Sequence, residues 1–424
     1  MIIGTLVSLS SRRLAATLVA MLASVIAGLG VDAASLPDST WVALPLPPLQ
    51  GKSPIFALAV DPLHNQVLIT ADSQGSLLRS TDGGSSWAVV HGGRTPVITI
   101  AFNPLKPDQV LAGTRGAGAL VSGDGGATWA VVSGLDGRDV RVFAFALALI
   151  VAGTDRGVYT SFDGDLWKQS GLSTTGIDAL AVEAIHDPAR LVAGSGAGSG
   201  AAGPALFQSI NAGSTWTSLN PPISGTAIAR LAAGPLPPTG NVRPLVVGTN
   251  AGLFISADNG STFAPLSGGD LLPSTDYTQI AFVTTHFDRF YVASDGGGSS
   301  SGGLWWTGDS GRHFRTLIPP LPSITALAVS NDEKPVLYAA TFRAADHLPA
   351  LWAYHDTGAA PKGPFGAATP PASGGRINSS PGTGVWADFV RLVRSSQAPY
   401  VGLGGIALLV IVLAMVSNLR ARRR

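Results

Sequence analysis

An all-β chain of seven four-stranded units closed into a ring is what this sequence predicts, and three observations predict it. First, one short pattern recurs six times. It reads Ser80-Thr-Asp82-Gly-Gly84-Ser-Ser86-Trp87, then Ser122-Gly-Asp124-Gly-Gly126-Ala-Thr128-Trp129, and shortened by one residue Ser161-Phe-Asp163-Gly164-Asp-Leu-Trp167. Ser209-Ile-Asn211-Ala-Gly213-Ser-Thr215-Trp216, Ser256-Ala-Asp258-Asn-Gly260-Ser-Thr262-Phe263 and Thr307-Gly-Asp309-Ser-Gly311-Arg-His313-Phe314 follow. Second, the closing aromatics recur every 38–51 residues, a period that holds several short strands per unit. Third, a seventh unit lacks the pattern and stops at His355-Asp-Thr-Gly358, while a strand that would complete it stands near the start of the chain. These features give a seven-bladed β-propeller over 39–357, about 46 residues per blade.

Each unit reads as four strands, A to D from the centre outward. In the first, Ile55–Val60 is strand A, Gln66–Ala71 strand B, Ser76–Ser80 strand C and Trp87–Val90 the start of strand D. Strand A recurs at Val97–Phe102, Ile177–Val182, Ile228–Ala233, Gln279–Val283 and Ile324–Val329. The B–C loop recurs as Gly113-Thr-Arg-Gly116, Gly153-Thr-Asp-Arg-Gly157 and Gly248-Thr-Asn-Ala-Gly252. Unit seven continues through Val336–Ala340 and Leu351–Tyr354. Its strand D is expected from Ser39-Thr-Trp41-Val-Ala-Leu44, which would cover an open sheet edge.

The repeated pattern is a turn device. A short carboxylate or amide at its third position accepts backbone N–H bonds, and the glycine two residues later permits a positive φ. The sequence S-x-D-x-G-x-[ST]-W resembles the Asp-box (BNR) repeat, whose turn residues here are Asp82, Asp124, Asp163, Asn211, Asp258 and Asp309. Among single propellers with this motif, the chain is most similar to photosystem II assembly and stability factors, and that resemblance implies a protein-binding scaffold. A more distant resemblance to sialidases implies a glycoside hydrolase.

Composition narrows the classes. Charged residues make up 12%, net charge is +1, and 53 glycines and 30 prolines fit short strands joined by many turns. That balance does not indicate a nucleic-acid partner. With no cysteine, disulfides and thiolate sites are excluded. The seven histidines show no metal-ligand spacing, and the Gly-rich loops lack the Lys-Ser/Thr of a phosphate cradle. No metal or cofactor is expected.

Both ends carry membrane signals. Arg12 and Arg13 precede the apolar run 14–31, and Val31-Asp32-Ala33 has the small-x-small character of a cleavage site. Residues 1–33 read as a signal peptide or an uncleaved N-terminal anchor. A Pro/Gly/Ala/Ser-rich linker with a short amphipathic segment follows at 358–397. Residues 398–419 are long and apolar enough for a transmembrane helix, and the basic tail 420–424 places that end in the cytoplasm. The propeller is then extracytoplasmic on a single-pass membrane anchor.

Two functions follow. Sialidases hold a carboxylate substrate with three arginines and use a tyrosine nucleophile backed by glutamate, with an aspartate acid; bidentate Arg–carboxylate pairing explains the clamp. The Arg-Ile-Pro that carries the first such arginine is absent, and the only glutamates, Glu183 and Glu333, fall in A–B turns. No catalytic residue is assigned. The other reading is a binding face where B–C and D–A loops gather Arg94, Arg115, Arg138, Arg156, Arg343 and His347, among Asp139, Asp155 and Asp346. Converging arginines suit an anionic protein or glycan partner, and solvated charges balanced by aspartates are the alternative.

Overall fold

The computed structural model describes residues 36–49, 53–184, 188–196, 205–219, 221–238, 241–272, 275–296, 302–317 and 319–358. The expected signal segment, linker, amphipathic segment and apolar run 398–419 lie outside them. Among the described residues, 28 strands form seven four-stranded antiparallel sheets. The inner strands of consecutive sheets touch in chain order, and that of sheet seven touches that of sheet one. The fold is a closed seven-bladed β-propeller.

Blade one is Leu58–Val60, Leu68–Ala71, Leu77–Ser80 and Ala88–His91. Blade three begins with Val140–Ala146, an inner strand absent from the sequence-derived set. Blade seven is Ile324–Val329, Val336–Arg343, Leu348–His355 and, as its outer strand, Trp41–Leu44. That last pairing is antiparallel, Trp41 opposite Tyr354 and Leu44 opposite Leu351. The ring is therefore closed by the N-terminal strand.

One hydrophobic cluster fills each of the seven gaps between neighbouring blades. Leu68, Ile69, Leu77, Val110 and Leu111 are fully buried in this way, each stabilising by roughly 1.5–3 kcal/mol relative to exposure. Close packing explains the Gly-Thr repeats. Gly113, Gly153 and Gly248 lie inside the second strands and not in the loops where the sequence reading put them. A Cβ on Gly248 would meet the Tyr277 carbonyl of the next blade at 2.4 Å, so that approach needs glycine.

The six motif turns share one hydrogen-bond core, although Leu166 gives blade three no closing hydroxyl and the His313 ring takes that place in blade six. In blade two the Ser122 hydroxyl donates to Asp124 Oδ1 (2.8 Å) and accepts from the Gly126 N–H (2.8 Å). Asp124 in turn accepts from the Thr128 N–H (2.8 Å) and hydroxyl (2.6 Å). Gly126 has φ +85°, and a Cβ there would lie 2.2 Å from Ile69 Cδ1 of blade one. In blade four the Asn211 amide keeps the scheme by donating to Thr215 (2.8 Å). The closing aromatics pack inward: Phe314 is 1% and Trp167 4% exposed.

The turns also join blades around the ring. Arg79 of blade one donates to the Gly125 carbonyl of blade two (2.9 Å). Gln109 bonds the Asp163 carbonyl, Ser170 the Gly213 carbonyl (2.7 Å) and Gln208 the Asn259 carbonyl (2.8 Å). Each link runs from one blade to the motif of the next.

Candidate functional site

Antiparallel order within each blade sends the A–B and C–D turns to one face of the ring and the B–C and D–A loops to the other. The loop face carries the arginines singled out in the sequence. Arg94 stands in the loop from blade one to two, and Arg115 in the B–C loop of blade two. Both are exposed, and neither has a carboxylate within ion-pair reach among the described residues.

Their four companions are otherwise engaged. Arg138 lies 3.4 Å and Arg156 3.9 Å from Asp155, so one carboxylate serves both. Arg343 holds Asp346 in a two-pronged pair, Nε at 2.8 Å and Nη2 at 2.6 Å. That bond raises the Arg343 guanidinium above its ordinary value. His347 has φ +53° and sits edge-on to Phe342, so it is a turn residue of the B–C loop. Charge balance by aspartates thus holds on blades three and seven, and leaves blades one and two with free cations.

Arg115 borders a cavity of about 210 Å³ between blades one and two. Pro54, Phe56, Pro96 and Ile98 give it apolar walls, and Phe56 is 55% exposed. Asp72 also lines it. This residue is 4% exposed; its Oδ1 caps the B–C turn through Gln74 N and Ser76 N, and Oδ2 has no hydrogen-bond partner. The cavity thus offers an apolar slot, one acceptor and one cation at the rim.

Sequence reasoning missed a second polar element on this face. Arg141 and Asp178 pair at 2.6 Å between blades three and four, with Asp139 3.7 Å from the same guanidinium. Both stand second in their inner strands, where the register shifts by a bulge. Ile98, Ala229 and Thr325 occupy equivalent bulges. Aligning the inner strands by their second residue would have found the pair; the missing blade-three strand hid it.

Glu183 lies on the other side of the ring, at the end of an inner strand. It is 5% exposed and accepts from Gln208 Nε2 (3.0 Å), which also bonds the motif turn of blade five. Burial pushes its carboxyl up, with the Gln208 bond opposing. Gln208, not Glu183 itself, ties this blade to the next, and Glu183 Oε1 has no hydrogen-bond partner. Among the described residues, no group of three or more His, Asp or Glu is placed to hold a metal ion.

No protein-family profile matches the chain, and no curated protein matches it. Solved structures do. The YCF48 structure bound to D1 peptide aligns with TM-score 0.53 and 17% identity over 77% of this chain and 98% of that one. YCF48 from Cyanidioschyzon merolae aligns with TM-score 0.50 and 15% identity over 74% and 98%. An ancestral GH74 enzyme aligns at TM-score 0.46 and 16% identity over 68% of this chain, which spans about half (52%) of that protein. At these identities the likeness is one of fold.

Proposed function

We propose that this chain is a non-catalytic Asp-box propeller that captures a segment of a partner protein on its loop face. It is held outside the cytoplasmic membrane by the apolar run 398–419, with 420–424 in the cytoplasm. One observation carries the binding reading: Arg115, with no carboxylate in ion-pair reach among the described residues, stands at the mouth of an apolar cavity whose wall holds an unpaired buried oxygen on Asp72. A peptide offering a carboxylate, an apolar side chain and an N–H donor matches those three features. The YCF48 propeller bound to D1 peptide is a precedent in fold for such use. A glycan-cleaving reading draws less support, because Glu183 is buried at the end of an inner strand, on the opposite side of the ring from the cavity, and accepts from Gln208.

The test is a peptide array of acidic, apolar sequences at physiological salt. Arg115→Glu is expected to cut capture about tenfold to a hundredfold, since a charge-assisted pair contributes roughly 1.5–3 kcal/mol. Arg156→Glu, already paired with Asp155, should change it by less than about twofold. Equal losses for both would sink the cavity as the site. Turnover of a fluorogenic glycoside panel, abolished by Glu183→Gln, would replace binding with hydrolysis.

A further inference from the structure

Among the described residues, the face that carries the motif turns presents more exposed large apolar side chains than the loop face, set among charged ones. Leu63, Leu105, Leu147 and Phe287 stand at the tips of A–B turns, and Phe162 and Ile210 in motif turns. All six are exposed, and Phe162 at 82%, Leu63 at 69% and Leu147 at 68% are the most exposed large apolar side chains among the described residues. The loop face has Leu46, Phe56 and Leu272. Between blades three and four Leu147 and Phe162 rim a cavity of about 500 Å³, floored by Leu149, Ala189 and Ala212.

Both chain ends leave on this same face. Strand Trp41–Leu44 starts there and strand Leu348–His355 ends there, with the Ser39 N–H on the His355 carbonyl (2.9 Å). Leu36 and Gly358 therefore flank one end of one strand pair. Five residues before Leu36 lies the end of the uncharged run 14–31, and beyond Gly358 lies the uncharged run 400–416.

We propose that this face lies against a lipid bilayer, with the turn tips entering the interfacial layer. The proposal rests on the membrane-tethered reading above and adds which side of the ring meets the lipid. Apolar side chains spread over separate turns of blades one to four and six suit a soft planar surface better than one groove-filling ligand. The headgroups it fits are zwitterionic. On this face exposed Lys106, Arg312 and Lys334 stand among exposed Asp108, Asp124, Asp163 and Asp332, so charges of both signs meet the headgroups and neither sign of leaflet is favoured. The peptide-binding loops then point away from the membrane.

The absence of cysteine makes the test direct. Single variants Leu63→Cys, Phe162→Cys and Phe287→Cys, with Ala117→Cys on the loop face as reference, carry an environment-sensitive fluorophore in the full chain. The chain is reconstituted in phosphatidylcholine vesicles containing doxyl-labelled lipid. Lipid quenching at 63, 162 and 287 should exceed that at 117 by about threefold or more, as expected for groups at the acyl boundary. Vesicle-bound protein with equal quenching at all four positions, or with none, overturns the proposal and leaves the tether intact. Shielding from water without lipid quenching means that a second protein copy covers the face, and also overturns it. Protein that fails to float with the vesicles overturns the tether and the proposal together.

Discussion

Blades two and seven have the same four strands and are completed by opposite means. In blade two the outer strand follows the third across a motif turn, so Leu120 pairs with Val131. In blade seven Leu351 pairs with Leu44, brought from the other end of the domain. By loop-closure scaling the longer separation costs about 3 kcal/mol more. The compensation differs in kind. Blade two relies on hydrogen bonds within an exposed turn. Blade seven uses more deeply placed groups: half-buried Trp41 against buried Tyr354 at 4.9 Å, and Asp356, 2% exposed, bonded by Arg289 and Tyr291 of blade six. Local connection permits a light fastening; a remote one demands a dry, charged knot.

The largest effect should come from removing the remote strand. Deleting residues 36–44 leaves the Leu348–His355 edge unpaired, and should lower Tm by roughly 10 °C or more and promote aggregation. Scanning calorimetry and light scattering check this, and an unchanged Tm would break the comparison. Next is Asp356→Ala. It strands the Arg289 guanidinium, 9% exposed at the residue level, and should cost about 3 kcal/mol or more in denaturant unfolding. Replacing Arg289 with Met in the same chain should recover part of that loss.

Asp124→Ala in blade two should cost less, about 1–2 kcal/mol, because its bonds lie at the surface. Here pH sharpens the contrast. The Thr128 hydroxyl and N–H hold the Asp124 carboxyl at about 2, against an ordinary 3.8. A depressed carboxyl contributes fully above about pH 4, and the contribution fades as pH falls through about 2. Asp309 is held at about 2 as well: burial works against it, and the His313 N–H and ring outweigh that. Acid titration of stability in Thr128→Ala should show the fade at higher pH than in the parent chain. The smallest effect belongs to neither closure. Burial, aided by the Asp295 carboxylate, pushes Asp276 up to about 6, and its Oδ1 has no partner. Its ionisation erodes stability as pH rises from about 4 to 6, so Asp276→Asn should stabilise the protein by about 1 kcal/mol at pH 7, allowing for partial exposure.

What could be read from the sequence follows from which contacts repeat. Motif turns, blade number and the closing strand at Trp41 were legible because each copy states the same local chemistry, and Ser39-Thr-Trp41 resembles the tail of a copy. The first inner strand shows the limit: Ile55–Val60 was expected and Leu58–Val60 is paired, because the Thr70 hydroxyl takes the Ala57 carbonyl (2.9 Å). The arginine face was half legible. The loops put Arg94, Arg115, Arg138 and Arg156 on one side, but Arg138 takes Asp155 from another loop, so which arginine stays free depends on folded geometry. Arg141–Asp178 could be found only by aligning the inner strands, one of which the sequence hid, and Arg289–Asp356 was not legible at all, since it occurs once and joins separate blades.

The exit of both chain ends beside one another has a mechanical consequence. Tension applied between Leu36 and Gly358 acts at the same end of the Trp41–Leu44 and Leu351–Tyr354 pair. Its rungs are then loaded one after another, as a zipper is, and not all together as in shear. The lock that withstands heat through buried contacts is thus placed to peel under modest force. Pulling on tags at the two ends in an optical trap should release blade seven first. Tags on Ser133 and Ser218, within intact blades, should require a higher force for the first rupture.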